Sequence, residues 1–441
     1  MSNGFDKETP IALFWHRRDL RVFDNTGLFH ALGSGLKVLP VFIFDTDILS
    51  KLENKQDARV HFIYENLLKL KGEYEKHQCS LLIKIGKPEE VLLKLLDELN
   101  VKAVYTNNDY EPYAKERDKK VDEILRSKGI EFRSFKDHVI FEKDEVLKAD
   151  GKPYTVFTPY MRRWKERIDH DRLTNFPSQS RLNSLVTSEA LTFPTLEEIG
   201  FKETHQQFPS VLTDLEIIRN YNKTRDLPAI KGTTRLGVHL RFGTISIREM
   251  VSIALKSSET WLNELIWREF FKMILFHFPH TVDKAFKPAY GQIEWLNYEK
   301  HFEAWCQGKT GFPIVDAGMR ELTETGFMHN RVRMIAGSFL VKDLLIDWRC
   351  GEAWFAEKLL DYEQASNVGN WQWVAGSGCD AAPYFRVFNP ILQAQKFDPS
   401  GKYIRRWVPE LGTPAYPTPI VDHAIAKERA IKAYKKALAN G

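Results

Sequence analysis

The sequence has few cysteines, no long apolar run and little net charge, and each scarcity excludes a class of protein. The four Cys (79, 306, 350 and 379) lie far apart and never as CxxC. That spacing argues against a disulfide framework or a zinc module and reads as reduced thiols of a cytoplasmic protein. No apolar stretch approaches the ~20 residues that cross a bilayer. The opening MSNGFDKETP is polar and lacks the apolar core of a secretory leader, so none is expected. A net charge of +4 permits a polyanionic partner without demanding one. No internal repeat is visible, and no GxGxxG follows the first apolar run, where the chain reads WHRRDLRVFDNTG instead. That counts against a dinucleotide fingerprint at this point. Two lookalikes also fail. Gly308-Lys309-Thr310 imitates the end of a phosphate loop, but Glu303 stands where the first glycine belongs. In HFPH, His277 and His280 are separated by Pro279, which interrupts the helix, so they read as packing or surface histidines.

What is present divides the chain into two unlike parts. From Ile11 to about Phe141, short apolar runs alternate with amphipathic segments. IALFW, KVLPVFIF, SLLIKIG (80–86), AVYTN (103–107) and EFRSF (131–135) read as strands. Segments 57–76, 88–100 and 112–128 read as helices between them. This alternation predicts an α/β domain with a doubly wound parallel sheet over residues 8–141. Residues 142–211, rich in Ser, Thr, Pro, Glu and Gln toward their end, read as an interdomain linker with a short helix around Tyr160–Arg167. From 212 to 441 strand patterns almost vanish and helical spacing dominates, at 246–256, 259–276, 298–306, 313–325, 329–345 and 351–361. Nine of the eleven Trp fall between 261 and 407, so this all-α part holds the aromatic chemistry.

Four constellations stand out there. WLNELIWREFF (261–271) places Trp261, Glu264, Trp267 and Arg268 on one broad helix face, a carboxylate and a cation between two aromatic planes. A surface Glu–Arg pair beside packed Trp would have the same spacing. GFMHNRVRMIAGSF (326–339) sets Asn330 and Met334 four residues apart with Arg331 and Arg333 around them. That suits an amide and a thioether facing a base, with guanidinium groups on phosphates, or equally a solvated basic face over a core Met. KGTTRLGVHLRFG (231–243) offers Thr233, Thr234 and Gly237 at a helix start, where hydroxyls and free N–H groups suit a pyrophosphate and an ordinary cap looks the same. Finally NVGNWQWVAGSGCDAAPYFRVFNP (367–390) is too polar for a core strand and too aromatic for an exposed loop. Its small residues would let a flat ligand approach, and its Asn and Trp would stack and hydrogen-bond it. An irregular buried loop with packed Trp is the plainer account.

Taken together and in order, from WHRRDLRVFDN (15–25) to RRWVPEL (405–411), these motifs resemble the photolyase/cryptochrome family over essentially the whole chain. The resemblance implies an N-terminal α/β domain, an all-helical C-terminal domain and a non-covalently bound FAD. By position it implies flavin contacts from Tyr221, Thr233, Thr234, Gly237, Trp261, Glu264 and Arg268, and from Asn330, Arg333, Asp361, Glu363 and Asn367. Asp361 and Glu363 match a pair that is usually two Asp, so Glu363 is a conservative departure. The face made by Glu264, Trp267, Asn330, Met334 and Trp373 resembles class I cyclobutane pyrimidine dimer photolyases. The 6-4 enzymes carry a His pair where this chain has Asn330 and Met334, and plant cryptochromes place Asp where it has Asn367. No long C-terminal tail of the kind signalling members carry is expected after Gly441.

The resemblance therefore implies a carbon–carbon lyase that repairs UV-damaged DNA with light. A blue-light-sensing cryptochrome without repair activity is the alternative. The implied mechanism flips the dimer out of the duplex. Trp267 and Trp373 stack it, Arg331, Arg333 and Arg386 hold the backbone, and an electron passes from excited reduced FAD to the dimer and back. Glu264 is expected to stabilise charge on the dimer and Asn367 to face flavin N5. Trp371, Trp348 and Trp295 match the family's chain of electron carriers from flavin to surface. A monomer is expected. For a second, antenna chromophore, folate-binding relatives carry an Asn-Glu pair where Tyr113 and Ala114 stand, and Arg241 matches a cationic position of deazaflavin binders. A deazaflavin-like or flavin chromophore is therefore expected over methenyltetrahydrofolate, lined by residues 15–21, Asp45, residues 107–113 and Arg241.

Overall fold

The structure, a computed structural model, describes residues 8–439. The first seven residues, most of the stretch read for a leader, and the last two, where the absent tail was read, lie outside it. The chain forms two compact units. The first comprises residues up to Glu142, Arg167–Val211 and Leu236–Ile253. The second comprises Lys143–Glu166, Leu212–Arg235 and everything from Ala254 onward. The stretch read as one linker is thus shared: its helix belongs with the second unit and the residues after it with the first.

In the first unit the strands β1 (Ile11–His16), β2 (Lys37–Asp45), β3 (Leu82–Gly86), β4 (Val101–Asn107) and β5 (Glu131–Phe135) pair in parallel in the order β3-β2-β1-β4-β5. β1 is buried at every residue, and its unbroken apolar run is what a strand covered on both faces requires. β5, at the edge, is the most exposed strand and carries Glu131, Arg133 and Ser134. The helix α1 (Thr26–Leu32) is not among the expected helices, while α2 (Ala58–Glu75), α3 (Pro88–Glu98) and α4 (Pro112–Ser127) lie within a few residues of the sequence expectation. Pro at the first position of α3 and α4 explains the sharp starts, since that residue's N–H has no helical partner to lose. α1 is capped by the Asn25 side chain, and Gly27 at its start donates to Asn107 Oδ1 at 2.8 Å. A Cβ on Gly27 would strike Asn107 and Phe14.

Residues 236–253 join this unit through buried charge. Arg248 binds both Asp24 and Asp137 at 2.9 Å, and Arg21 binds Asp137 at 2.7 Å. Burial alone would raise the Asp137 carboxyl, but the two guanidinium groups hold it well below the usual range.

The second unit is helical. Its elements used below are α5 (Phe157–Arg167, of which residues to Glu166 belong here), α6 (Glu259–His277), α7 (Pro313–Thr325), α8 (Asn330–Ser338), α9 (Trp348–Lys358), α10 (Gln364–Ala375) and α11 (His423–Ala439). α6 is capped by Ser258, whose side chain accepts from Trp261 N. Two expectations change. The pattern 329–345 is not one helix: after Ser338 it becomes a π-helical turn (339–343), and Leu345 takes φ 51° before α9 starts. Trp348 is therefore the first residue of α9, not late in the preceding helix. The stretch around WQW is not an irregular loop either. It is α10, ended by Gly376 in the left-handed conformation at φ 84°. Among the described residues no helix is long and apolar enough to cross a membrane.

Candidate active site

α8, the loop after α9 and α10 enclose a cavity of about 590 Å³, open solvent included. Of the expected residues it brings together Asn330, Arg333, Met334, Asp361, Glu363, Asn367, Trp371 and Trp373, with Phe355, Leu359 and Gly337 adding apolar surface. The i, i+4 spacing of Asn330 and Met334 does turn both side chains to one lining.

The charged members are fixed by pairs far apart in sequence. Glu363 is buried and precedes α10, but its carboxylate does not cap that helix. It binds Arg268 at 3.0 Å and Lys272 at 2.8 Å, both on α6. Asp361 binds Arg333 at 3.0 Å, and Arg333 also donates to the Met328 carbonyl at 2.7 Å. Asn367 donates through Nδ2 to the Glu352 carbonyl at 3.1 Å and to Glu352 Oε1 at 2.9 Å. The Asn367 amide donor is thus spent on Glu352, which leaves Oδ1 as its polar atom toward the cavity. Burial pushes the Glu352 carboxyl up, partly offset by its bonds from Asn367 and Tyr362.

The remaining expected flavin residues lie outside this lining. Trp261 is buried on α6. Glu264, one turn on, binds Arg225 at 2.6 Å. Burial raises its carboxyl above the ordinary range against the pull of Arg225. Arg225 also lies over the Tyr221 ring at 5.6 Å. Tyr221 opens a single helical turn, Thr233 and Thr234 are half-buried in the turn that follows Gly232, and Gly237 begins a short helix grouped with the first unit.

The expected DNA-facing residues divide too. Trp373 is half-buried in the cavity wall. Trp267 is half-buried on α6 with its ring stacked on Phe157. Arg331 binds Asp226 at 2.7 Å and lies over Phe397 at 4.2 Å, whereas Arg386 is exposed. α8 is capped by His329, whose Nδ1 accepts from Arg331 N at 3.2 Å. Burial pushes that imidazole down to about 4, which keeps it neutral and able to accept.

Trp371 and Trp348 are both buried in one apolar core, and Trp295 packs against it half-buried. The Trp371 ring meets Phe355 at 5.0 Å and Trp305 at 6.1 Å, both edge-on. Trp295 meets Tyr434 edge-on at 6.1 Å. Glu352, Lys272 and Phe157 carried no signal in the sequence, because each acquires its role only through a partner 15 or more residues away.

These residues fit a flavin dinucleotide. Arg333 in the lining, with Arg268 and Lys272 behind Glu363, could supply cations for phosphates, Asn330 and Asn367 amides for a ring edge, and Trp371, Phe355 and Gly337 an apolar wall. In the first unit the residues expected around an antenna chromophore also converge, at the C-terminal ends of the strands beside the reversal of strand order between β1 and β4, the usual ligand crevice of such sheets. Tyr113 donates to Asp45 at 2.7 Å, Arg117 lies over Trp15 at 5.0 Å, and Arg18 reaches Asp109 at 3.1 Å and Glu111 at 3.0 Å. Arg241 approaches Glu111 at 3.4 Å.

Comparison with known proteins agrees. Residues 261–414 match the family described as FAD binding domain of DNA photolyase, and residues 12–179 the family described as DNA photolyase. A deoxyribodipyrimidine photo-lyase of Synechococcus sp. is 37% identical, covering 95% of this chain and 95% of that protein. The crystal structure of a bacterial class III photolyase from Agrobacterium tumefaciens matches with a TM-score of 0.87 at 34% identity, covering 99% of each chain. That of an archaeal photolyase from Sulfolobus tokodaii with two FAD molecules matches with a TM-score of 0.82 at 34% identity, covering 96% of this chain and 99% of that one.

Proposed function

The chain belongs to the DNA photolyase family, and from that membership we propose that it repairs cyclobutane pyrimidine dimers in DNA with light, using FAD held in the second unit. The observation that carries this reading is the cavity in which Asn330 and Met334 face the same space as Asn367 and Trp373, beside paired cations.

When bound, the reduced flavin supplies on illumination the electron that opens the cyclobutane ring, and recovers it afterwards. The protein's part is to hold and orient. Arg268 and Lys272, fixed by Glu363, and Arg333, fixed by Asp361, hold the dinucleotide phosphates. Trp373 and Trp267 stack the flipped dimer, which leaves the duplex cheaply because it pairs poorly. Arg386, exposed on the loop after α10, is the first candidate for a backbone phosphate. Glu264 keeps a proton more readily than an ordinary glutamate and stabilises negative charge on a dimer carbonyl by hydrogen bonding to it. Trp371, Trp348 and Trp295, joined by one core, carry electrons inward from the surface.

The crevice at the edge of the first unit's sheet takes a deazaflavin-type or flavin antenna. Its aromatic and cationic lining, with Arg117 over Trp15, supports this, as does the second FAD in the Sulfolobus tokodaii structure. Tight folate binding with efficient energy transfer to FAD would overturn it. The enzyme acts as a cytoplasmic monomer.

The decisive experiment illuminates the purified, reduced protein with dimer-containing DNA and counts restored thymine monomers. Monomer release in light and none in darkness is expected. A protein that holds FAD and responds to light without releasing monomers would be a cryptochrome-type photoreceptor instead.

A further inference from the structure

The helix of the stretch read as linker is locked onto the candidate substrate face. On α5, Trp164 Nε1 donates to Glu269 Oε1 at 2.5 Å, and the Tyr160 hydroxyl donates to the same oxygen at 3.4 Å. Glu269, Tyr160 and Trp164 are all buried. Glu269 lies two residues beyond Trp267 on α6. The anchored helix lays its first side chain, Phe157, flat on the Trp267 ring, with centroids 3.6 Å apart and planes 6° from parallel. Phe270 closes on Trp267 edge-on at 5.6 Å. The Phe157 backbone N–H donates to Asp380 Oδ2 at 3.0 Å. Asp380, at φ 48° in the left-handed region that Asp adopts more readily than most residues, follows Trp373 by seven residues. One short helix thus touches both Trp267 and the segment leaving Trp373.

We propose that Phe157 is a positioning residue for lesion recognition. By covering one face of Trp267, beside Phe271 tilted 30° to that ring at 5.4 Å, it fixes the plane that a flipped pyrimidine pair meets. Its backbone bond to Asp380 ties α5 to the segment that follows Trp373. A Trp covered on one side by a parallel ring cannot swing about its side-chain torsions, so the ordering cost of stacking is met before the dimer arrives. The inference rests on the reading of Trp267 as a dimer-stacking residue.

The test measures Kd of the FAD-loaded protein for dimer-containing and undamaged duplexes, with flavin absorbance and Tm alongside. Phe157→Leu is expected to weaken binding of the damaged duplex about tenfold, on the scale of losing one stacked base. Undamaged-DNA affinity and flavin content should hold, and Phe157→Tyr, which keeps the ring, should recover parental affinity. Combined with Trp267→Leu, Phe157→Leu should add no further loss, because both act through one ring. If Phe157→Leu does not fold, Phe157→Met, similar in volume without a ring, is read the same way. Equal loss for both duplexes, a Tyr variant as weak as Leu, or additive losses in the double variant would overturn the inference alone. A Trp267→Leu protein that binds damaged DNA as the parent does would overturn the reading of Trp267 and this inference with it.

Discussion

Asn367 gives its side-chain N–H donors to Glu352, at 3.1 Å to the backbone carbonyl and 2.9 Å to the carboxylate. The carboxamide is thereby oriented with its oxygen toward the cavity, where, on the proposed function, it would accept a hydrogen bond from N5–H of a reduced flavin. Asn367→Asp would set a carboxylate against Glu352 and bring negative charge to the cavity. The fully reduced flavin should then be harder to reach, with a lower midpoint potential in a redox titration. The apoprotein should also lose ~1–3 kcal/mol of stability, the cost of an unmet buried partner. A variant that photoreduces like the parent would show that Asn367 does not face N5.

Trp371→Phe largely keeps volume and should cost little stability. Light with an external reductant should no longer reduce the oxidised flavin efficiently, while repair by chemically reduced enzyme survives. If that repair also collapses, Trp371 is structural or faces the substrate. Gly351→Ala offers a second route to the same ring. A Cβ there would run into Trp371 and Leu340, so overpacking of ~1–3 kcal/mol should appear in denaturant melts along with slower photoreduction.

Glu264→Ala should leave FAD bound and lower repaired dimers per absorbed photon, by roughly two- to tenfold, less than the ~100-fold of a dedicated oxyanion donor. Because burial raises this carboxyl, the useful proton is held at acid pH and lost as pH climbs through its folded value. The parent's yield should therefore decline toward alkaline pH, and Glu264→Gln, a donor at every pH, should flatten the profile. A yield unchanged in the Ala variant would reduce Glu264 to an ion pair with Arg225.

Lys342 sits in the π-helical turn, 1% exposed, donating to the carbonyls of Ala375 and Tyr384 at 3.3 and 3.2 Å and lying 3.5 Å from the Tyr434 ring centroid. Burial pushes its amine down to about 7. Unfolded, it titrates near 10.4, so between about pH 7 and 10 the unfolded state binds the extra proton and folding gains from rising pH. Relative to Lys342→Met, the parent's unfolding free energy should rise across that window and flatten below it. Parallel pH profiles for the two proteins would show that the amine stays charged in the fold.

The strands of the first unit and most helices of both units could be read from local pattern, because each buries a stripe or run whose period is set by its own backbone. The family motifs likewise named Asn330, Met334, Asn367 and Trp373 before any contact was known. α10 could not be read so. QASNVGNWQWVA carries Asn and Gly where a helix usually carries apolar or strong helix-forming residues. It is helical because Trp371 packs over Gly351 and Gly337, and Gly369 admits Phe271. The apolar pattern of 329–345 runs on without a break, yet the backbone turns there, since buried Lys342 reaches for carbonyls 33 and 42 residues away. Sequence by itself determined the period of each element and the chemistry of each side chain. Only the tertiary structure decided which donor faces a ligand and which is spent on a neighbour: Asn367 on Glu352, Arg331 on Asp226, one face of Trp267 on Phe157. Burial makes unpaired polar groups and uncovered rings costly, and only the packed chain brings such partners within reach.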